Sequence, residues 1–514
     1  MFAISVTLIS VQLFHQAHLQ SLPSPSSNQL ANYAATHPND TTIFAQNVFG
    51  ITYPTLSYSL GVNGMPFLQD QFLMEKLQSL NRERIPERVV HAKGAGAFGY
   101  FQVTNDISKS TKANFLQPGK RTKVAVRFST GTGESGSADT NFDMKGFSVK
   151  FYTEEGTHDI ICLNFPVFLV RDPMAIFDAV RARKRNPQSH LFDPNALFDM
   201  ASYRPEMTMF LLFFFSDIAF PKYFRHIDGF AIHTFKMVNK NGEPVYVKFH
   251  LLSNQEKEFI TLQESFQLAG SDPDLMLADL FDSIENKKFP SWTMKIQVMT
   301  FEQAKAHPYN PFDSTKFWKE EDFPLITVGE LVLNQNPENY FVDVEQIAFS
   351  PGRMVPGIEA SPDGLLHSRM FVYPDAQLHR LGTNYAQIPV NSCPFSAQTY
   401  QRDGMMNVGR NGGGSPNYHP NSFHGLNSNS ASHAKQHVYA VSGDVDRVDI
   451  GRNDDFLLPK HFWKSRGSAE QDRIIGNMAA VLSRTVKLVQ DNVLNNIIYN
   501  IDKAFGDKLK AALN

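Results

Sequence analysis

The strongest constraint on this chain is a series of short alternating segments between residues 85 and 330. Val124-Ala125-Val126-Arg127-Phe128 and Val245-Tyr246-Val247-Lys248-Phe249 send successive side chains to opposite faces, and clusters of Gly, Asn, Asp and Pro separate such runs. A period of two is the signature of strands, and many such strands in succession build an antiparallel sheet or barrel. Residues 172–184 and 274–286 lack the alternation and suit helices, so the expected class is α+β around an antiparallel β-barrel.

The flanking regions read differently. Residues 23–84 are turn-rich, with Gly61-Val62-Asn63-Gly64 as a clear turn and no sustained helical period, which suggests an extended N-terminal arm. Residues 331–445 are dominated by Pro, Gly, Asn and Ser and read as a long irregular segment wrapped over the barrel domain of 85–330. Within 446–514, Ile474, Met478, Val481 and Leu482, then Val493, Leu494, Ile497 and Ile498, fall on single helical faces, which predicts two or three packed helices.

The apolar stretch over residues 1–22 is a signal-peptide candidate. No Lys or Arg precedes the run and no small-residue cleavage pair follows it, so secretion and an untargeted extension both stay open. The sequon Asn39-Asp40-Thr41 is compatible with the secretory pathway, and Ala511-Ala512-Leu513-Asn514 is not a peroxisomal address of the SKL type. No apolar run reaches the roughly twenty residues of a spanning helix, so no membrane partner is expected.

Bulk charge narrows the function. The 514 residues carry 48 basic and 51 acidic side chains, a net charge of -3, which gives no field to recruit nucleic acid. Two cysteines, Cys162 and Cys393, are too few for a disulfide framework or a zinc cluster. With 43 phenylalanines the chain could line an apolar cofactor pocket, and small-molecule chemistry is the better expectation.

Four stretches could carry chemistry. In Arg88-Val89-Val90-His91-Ala92-Lys93-Gly94 a lone histidine sits between valines and small residues; taken alone, such a histidine is more often structural. In Arg369-Met370-Phe371-Val372-Tyr373-Pro374 a helix ending at Pro374 would put Arg369 and Tyr373 on one face. A guanidinium beside a phenol favours the phenolate, a ligand for ferric iron, although without context Tyr373 is more often a core tyrosine. Gly131-Thr132-Gly133-Glu134-Ser135-Gly136 matches a dinucleotide fingerprint but is rejected, because polar 137–141 follow where an apolar helix should start. The basic run 181–185 reads as a solvated helix face.

Together these stretches resemble the haem catalases, collinearly from about residue 29 to the C-terminal helices. The match includes Val126-Arg127-Phe128-Ser129-Thr130, Gly133 to Thr140, Lys184-Arg185-Asn186-Pro187-Gln188 and Tyr400-Gln401-Arg402-Asp403-Gly404. In that family a tyrosinate holds the haem iron. The resemblance therefore implies Tyr373 as the metal ligand supported by Arg369, with His233 and Asp363 extending the relay. It also implies His91 as the distal acid/base, with Ser129 supporting it. Arg88, Val90, Arg127, Phe168, Arg369 and Arg380 would bind the cofactor, the arginines suiting the propionates. The implied reaction is decomposition of hydrogen peroxide to water and dioxygen by a homotetramer with threaded arms.

Departures from the family matter for activity. Asp159, Pro166, Arg171 and Asp172 fix an ungapped frame in which Leu163 stands where the family has a peroxide-orienting asparagine. Asn164 could substitute only through a local bulge, since neighbouring side chains on a strand face opposite ways. Ile176 replaces a stacking phenylalanine and Gly131 a channel valine, which suggests a looser pocket and reduced activity. Met209, Ile218, Leu252 and Glu320 replace basic residues at the family's NADPH site, leaving Ser216 and Trp318, so tight NADPH binding is not expected. Two alternatives stay open: a peroxidase or organic-hydroperoxide enzyme on the same scaffold, and a non-enzymatic haem-binding relative. Compartment is either secretory, if 1–22 is a signal, or peroxisomal or cytoplasmic as the resemblance implies.

Overall fold

Eight strands close a ring in the computed structural model, which describes residues 24–38, 45–52, 54, 56–395, 399–401, 403–427, 437–450 and 454–513. The signal candidate at 1–22, the sequon at Asn39 and Arg402 lie outside the described residues. The chain divides into two units, Met1–Pro86 and Glu87–Asn514.

The strands of the second unit are β1 (Gly94–Val103), β2 (Arg121–Thr130), β3 (Lys145–Thr153), β4 (Gly156–Leu163), β5 (Gly229–Phe230), β6 (Phe235–Val238), β7 (Pro244–Ser253), β8 (Ser291–Met299), β9 (Ile326–Gln335) and β10 (Ile358–Ala360). They run in the order β10-β6-β7-β5-β4-β3-β2-β1-β9-β8, and an antiparallel pairing of β7 with β8 closes the barrel. β6 and β10 extend it as a side flap. The alternation noted in the sequence decides which residues fill the core. Val124, Val126, Phe128, Phe147, Val149 and Trp292 are buried in one cluster, while Arg127 and Ser129, one residue out of phase, face the other side of β2. β9 runs past residue 330, because Leu331 and Leu333 continue the alternation and are fully buried, so the domain boundary expected at 330 falls inside a strand.

A second core holds the phenylalanines. Helices Ala175–Arg181, Pro194–Tyr203 and Thr208–Phe215 are inserted between β4 and β5 and share one apolar cluster with the C-terminal helices Leu457–Ser465, Ser468–Leu482, Lys487–Val493 and Lys503–Ala512. Phe213 meets Phe462 edge-on, and Trp463 stacks on Phe505 with ring centroids 4.0 Å apart. Thr208–Phe215 is buried on every side, which explains why it shows no helical polarity in sequence.

Several expectations need correction. Among its described residues the first unit contains the helices Gln29–Thr36 and Gln71–Leu80, the second started by the Asp70 carboxylate accepting from the Leu73 amide at 3.1 Å. Asp70 is nevertheless the only buried residue among those described in 24–86. The helix expected to stop at Pro374 runs over Gly364–Leu381, so the proline sits inside it. The basic run is not a uniformly solvated face. Arg183 is buried and donates to Asp143, and Arg185 pairs with Glu134. Among the described residues no helix is long and apolar enough to cross a membrane.

Candidate functional site

Pairing of β2, β3 and β4 puts Ser129 opposite Gly146 and Gly146 opposite Leu163, so all three project from one face of the barrel wall. His91, just ahead of β1, meets that face. Its Nδ1 lies 3.0 Å from Ser129 Oγ, its amide donates to the Gly131 carbonyl at 2.7 Å, and its own carbonyl accepts from Arg127 Nη1 at 2.8 Å. Three holds are needed because the His91 backbone has φ 61°, a region disfavoured for any residue with a Cβ. A Cβ on residue 146 would stand 2.5 Å from Ser129 Oγ and 2.8 Å from His91 Nδ1, so only glycine admits the imidazole. Burial first, then Arg127 and Arg369, push the His91 pKa down to about 4 against the pull of Asp143, leaving a neutral ring at neutral pH.

On the other side, Asp363 caps the helix Gly364–Leu381 by accepting from the Leu366 amide at 3.0 Å. Its second oxygen lies 2.7 Å from His233 Nδ1, and His233 Nε2 lies 2.6 Å from Arg369 Nη1. A guanidinium cannot accept a hydrogen bond, so Nε2 is the acceptor and the ring proton sits on Nδ1, donated to Asp363. Arg369 Nη2 donates to the Tyr373 hydroxyl oxygen one turn along the helix. The result is a continuous chain Asp363, His233, Arg369, Tyr373 that keeps positive charge against the phenol oxygen. His91, Phe168 and Tyr373 are half-buried, whereas Ser129, His233, Asp363 and Arg369 behind them are buried, the pattern of a lined cavity with a rigid backing.

Three further guanidiniums converge beside it. Arg88 donates to the carbonyls of Val344, Glu345 and Ile347, Arg380 to those of Glu345 and Ile347, and Arg127 to those of His91 and Ala92. Among the described residues Glu345 is the one carboxylate facing the group, 3.4 Å from Arg88 and 3.9 Å from Arg380. Burial and then mutual repulsion push Arg88 well below its ordinary pKa and Arg380 down to about 10. Arg127 Nε and Arg88 Nη1 are buried without a hydrogen-bond partner among the described residues. Such a cluster fits a ligand bearing two carboxylates, because each would offset charge that Glu345 leaves unbalanced. Val90, half-buried next to this loop, would present an apolar side to the same ligand.

A phenol backed by a guanidinium relay, a half-buried neutral imidazole and an arginine cluster define the site. The family model described as Catalase matches residues 46–425. The chain belongs to the catalase family. It is 45% identical to the catalase of Ascaris suum over 498 residues, covering 96% of this chain and 91% of that protein. It is 47% identical to catalase-2 of Caenorhabditis elegans over 493 residues, covering 95% and 98%. Among solved structures, catalase A from Saccharomyces cerevisiae superposes with a TM-score of 0.88 at 37% identity, covering 92% of this chain and 99% of that one.

Against this family background the departures take on definite geometry. Leu163 is buried on the face that carries Ser129, with Phe168 and Ile176 packed against the same cluster. Asn164 does not replace the missing amide. Its Oδ1 accepts from the Lys145 amide and its Nδ2 donates to the Ile218 carbonyl, both at 2.8 Å, so both ends of the side chain are tied to backbone. The looser channel expected at Gly131 is not found. A Cβ there would lie 2.5 Å from Met144 Cγ, so the methionine has taken the space. That removes one of the two reasons for favouring bulky hydroperoxides and leaves only Ile176. The rejected dinucleotide motif also finds its role, since the Thr132 and Gly133 amides donate to Asp143, a carboxylate of the chain itself.

Sequence reasoning missed Gly146, Asp143 and Glu345. Gly146 alone carried a signal, as an isolated glycine in a strand pattern, which often marks a close approach. Asp143 and Glu345 become visible only once the arginines they serve are placed.

Proposed function

We propose that this chain is a haem catalase that decomposes hydrogen peroxide to water and dioxygen, with Tyr373 holding the iron and His91 handling the substrate protons. The observation that carries this reading is the relay from Asp363 through His233 and Arg369 to the Tyr373 oxygen, which sets a guanidinium against the phenol oxygen that would hold a ferric ion. Arg88, Arg127 and Arg380 would receive the haem propionates. Bound haem supplies the redox capacity that the side chains lack.

His91 does the proton work. Neutral at neutral pH, it would accept a proton from one oxygen of peroxide and return it to the other, while bound haem would take up the remaining oxygen and supply the two electrons that O–O cleavage to water requires, which oxidation of a second peroxide to dioxygen would return. Ser129 at Nδ1 holds the ring plane and leaves Nε2 for the exchange. Leu163 cannot donate a hydrogen bond, so peroxide is oriented by the imidazole alone, and turnover should sit roughly ten- to a thousandfold below that of a site with the amide. Dioxygen release by the purified haem-loaded protein, abolished by His91→Ala and Tyr373→Phe, is the expected result. Release no faster than from free haem would overturn the reading.

A homotetramer is part of the proposal. Val48, Phe49, Leu56, Val62 and Leu68 are each more than three-quarters exposed, an apolar load that calls for cover by partner subunits. Sedimentation should give four times the 57.9 kDa chain mass. NADPH is left out, since Met209, Ile218 and Leu252 offer its phosphates no cation. For compartment, the apolar stretch at 1–22 supports export, with a peroxisomal or cytoplasmic protein as the alternative. N-terminal sequencing of the native protein separates the two.

A further inference from the structure

We propose that Lys248 and the turn Ala231-Ile232-His233 form the device that aims His233 at Arg369, which makes Lys248 a positioning residue for the tyrosine side of the site. The inference rests on the reading of Tyr373 as the iron ligand.

Ile232 has φ 62°, a conformation that a β-branched residue adopts only when its surroundings force it. The amide of the next residue, His233, donates back to the Ala231 carbonyl at 2.6 Å, closing a three-residue turn. With a positive φ at its middle residue this is the rarer, strained form of that turn. Strain of this kind persists only where neighbouring contacts over-determine it. The contact is supplied by β7, from which Lys248 Nζ donates to the Ile232 carbonyl at 2.5 Å.

Lys248 is itself an unlikely tenant of its position unless it has a task. Its side chain is buried, with Nζ 5.6 Å from the Trp318 ring centre, and burial pushes its pKa down to about 8 despite the pull of Asp363 and Asp313. Its ammonium fixes the one carbonyl whose orientation sets the turn. The turn in turn sets the plane of the His233 ring, whose two nitrogens must reach Asp363 and Arg369 at 2.7 and 2.6 Å together. Rotation of that ring would release Arg369 from one side and alter its hold on the Tyr373 oxygen. Lys248 also favours the ionised Asp363, working with the His233 contact and the Leu366 amide against burial.

The test compares Lys248→Met, which keeps the bulk and removes the donor, with Lys248→Arg, which keeps a donor. Both are prepared as haem-loaded protein and read by the phenolate-to-iron charge-transfer absorption together with kcat and KM for peroxide. Lys248→Met should shift the band and lower kcat by about tenfold with KM unchanged, as expected for a small misplacement of a supporting group, whereas Lys248→Arg should keep the wild-type band. An unshifted band in Lys248→Met, or the same shift in both variants, overturns the inference. If Lys248→Met does not fold, Lys248→Arg carries the test through hydrogen exchange of the peptide containing 231–233. Wild-type protection with a wild-type band supports the pinning, and loss of either overturns it. A wild-type protein without any phenolate band would overturn the Tyr373 assignment itself, and this inference with it.

Discussion

Leu163 stands directly opposite Gly146 in the pairing of β4 with β3, so its isobutyl group projects from the same face as the Ser129 hydroxyl that holds His91. An apolar group therefore occupies the wall beside the His91 imidazole. Leu163→Asn would place a donor there without changing side-chain size much, and the glycine opposite leaves room for it. We expect kcat for peroxide to rise by at least ~10-fold, the low end of what one oriented donor contributes, at some cost in thermal stability because a buried leucine of the apolar cluster becomes an amide. Steady-state oxygen release checks this. An unchanged kcat would mean that this wall does not face the substrate.

Gly146 predicts the opposite behaviour. In Gly146→Ala the new methyl group meets Ser129 Oγ and His91 Nδ1 at distances that real side chains do not tolerate, so the imidazole must move. Overpacking of this kind costs about 1–3 kcal/mol, and a displaced general base costs rate as well. The Gly136→Ala protein is the control, since nothing lies within 4 Å of a methyl group there. Thermal melts and kcat for both variants should show the larger loss at 146.

Much of this was legible in the sequence, for identifiable reasons. The period-two runs gave the barrel strands, and β2 and β7 fall on the two segments singled out for alternation. His91 and Tyr373 emerged only through the family likeness, because a histidine among valines or a tyrosine in a helix is ambiguous without knowing what faces it. Ambiguity was greatest where partners are distant in sequence. Arg183 reads as solvated because its partner Asp143 is 40 residues away, and the bulge that Asn164 would need to act as a donor is ruled out only by the two backbone bonds its amide makes. Pro374 was misread as a stop, although Asp363 at the start of the helix and the buried Leu365, Leu366 and Arg369 hold it in place across the proline.

Glu345 should matter most when the cofactor is absent. Among the described residues it is the one carboxylate facing Arg88, Arg127 and Arg380, so Glu345→Gln takes away the counter-charge of the three guanidiniums in the apoprotein. Two propionates would offset much of that loss in the loaded protein. The apoprotein should lose on the order of 2–3 kcal/mol, and the difference in melting temperature between apo and holo forms should widen. Equal losses in both forms would show that the arginines do not receive the ligand.

His158 sets a pH limit on stability. The ring is buried between Phe115 and Phe151, with centroids 5.2 and 6.0 Å away. Neither nitrogen has a partner in hydrogen-bond geometry, although the Arg353 backbone slightly favours the protonated ring. Burial pushes its pKa down to about 4, while in the unfolded chain it titrates near its ordinary value of 6.5. Above pH 6.5 both states are neutral and the histidine contributes its full stability. As pH falls from 6.5 to 4 only the unfolded chain binds the proton, and the folded state loses up to about 3 kcal/mol from this group. Below pH 4 both states are protonated and the loss levels off. His158→Phe removes the titrating group and leaves an aromatic ring that suits its neighbours. Its stability should therefore fall less than that of the wild type between pH 7 and 4.5, as measured by denaturant unfolding at each pH. Parallel losses in the two proteins would mean that the His158 ring is protonated inside the fold at a cost no greater than in water.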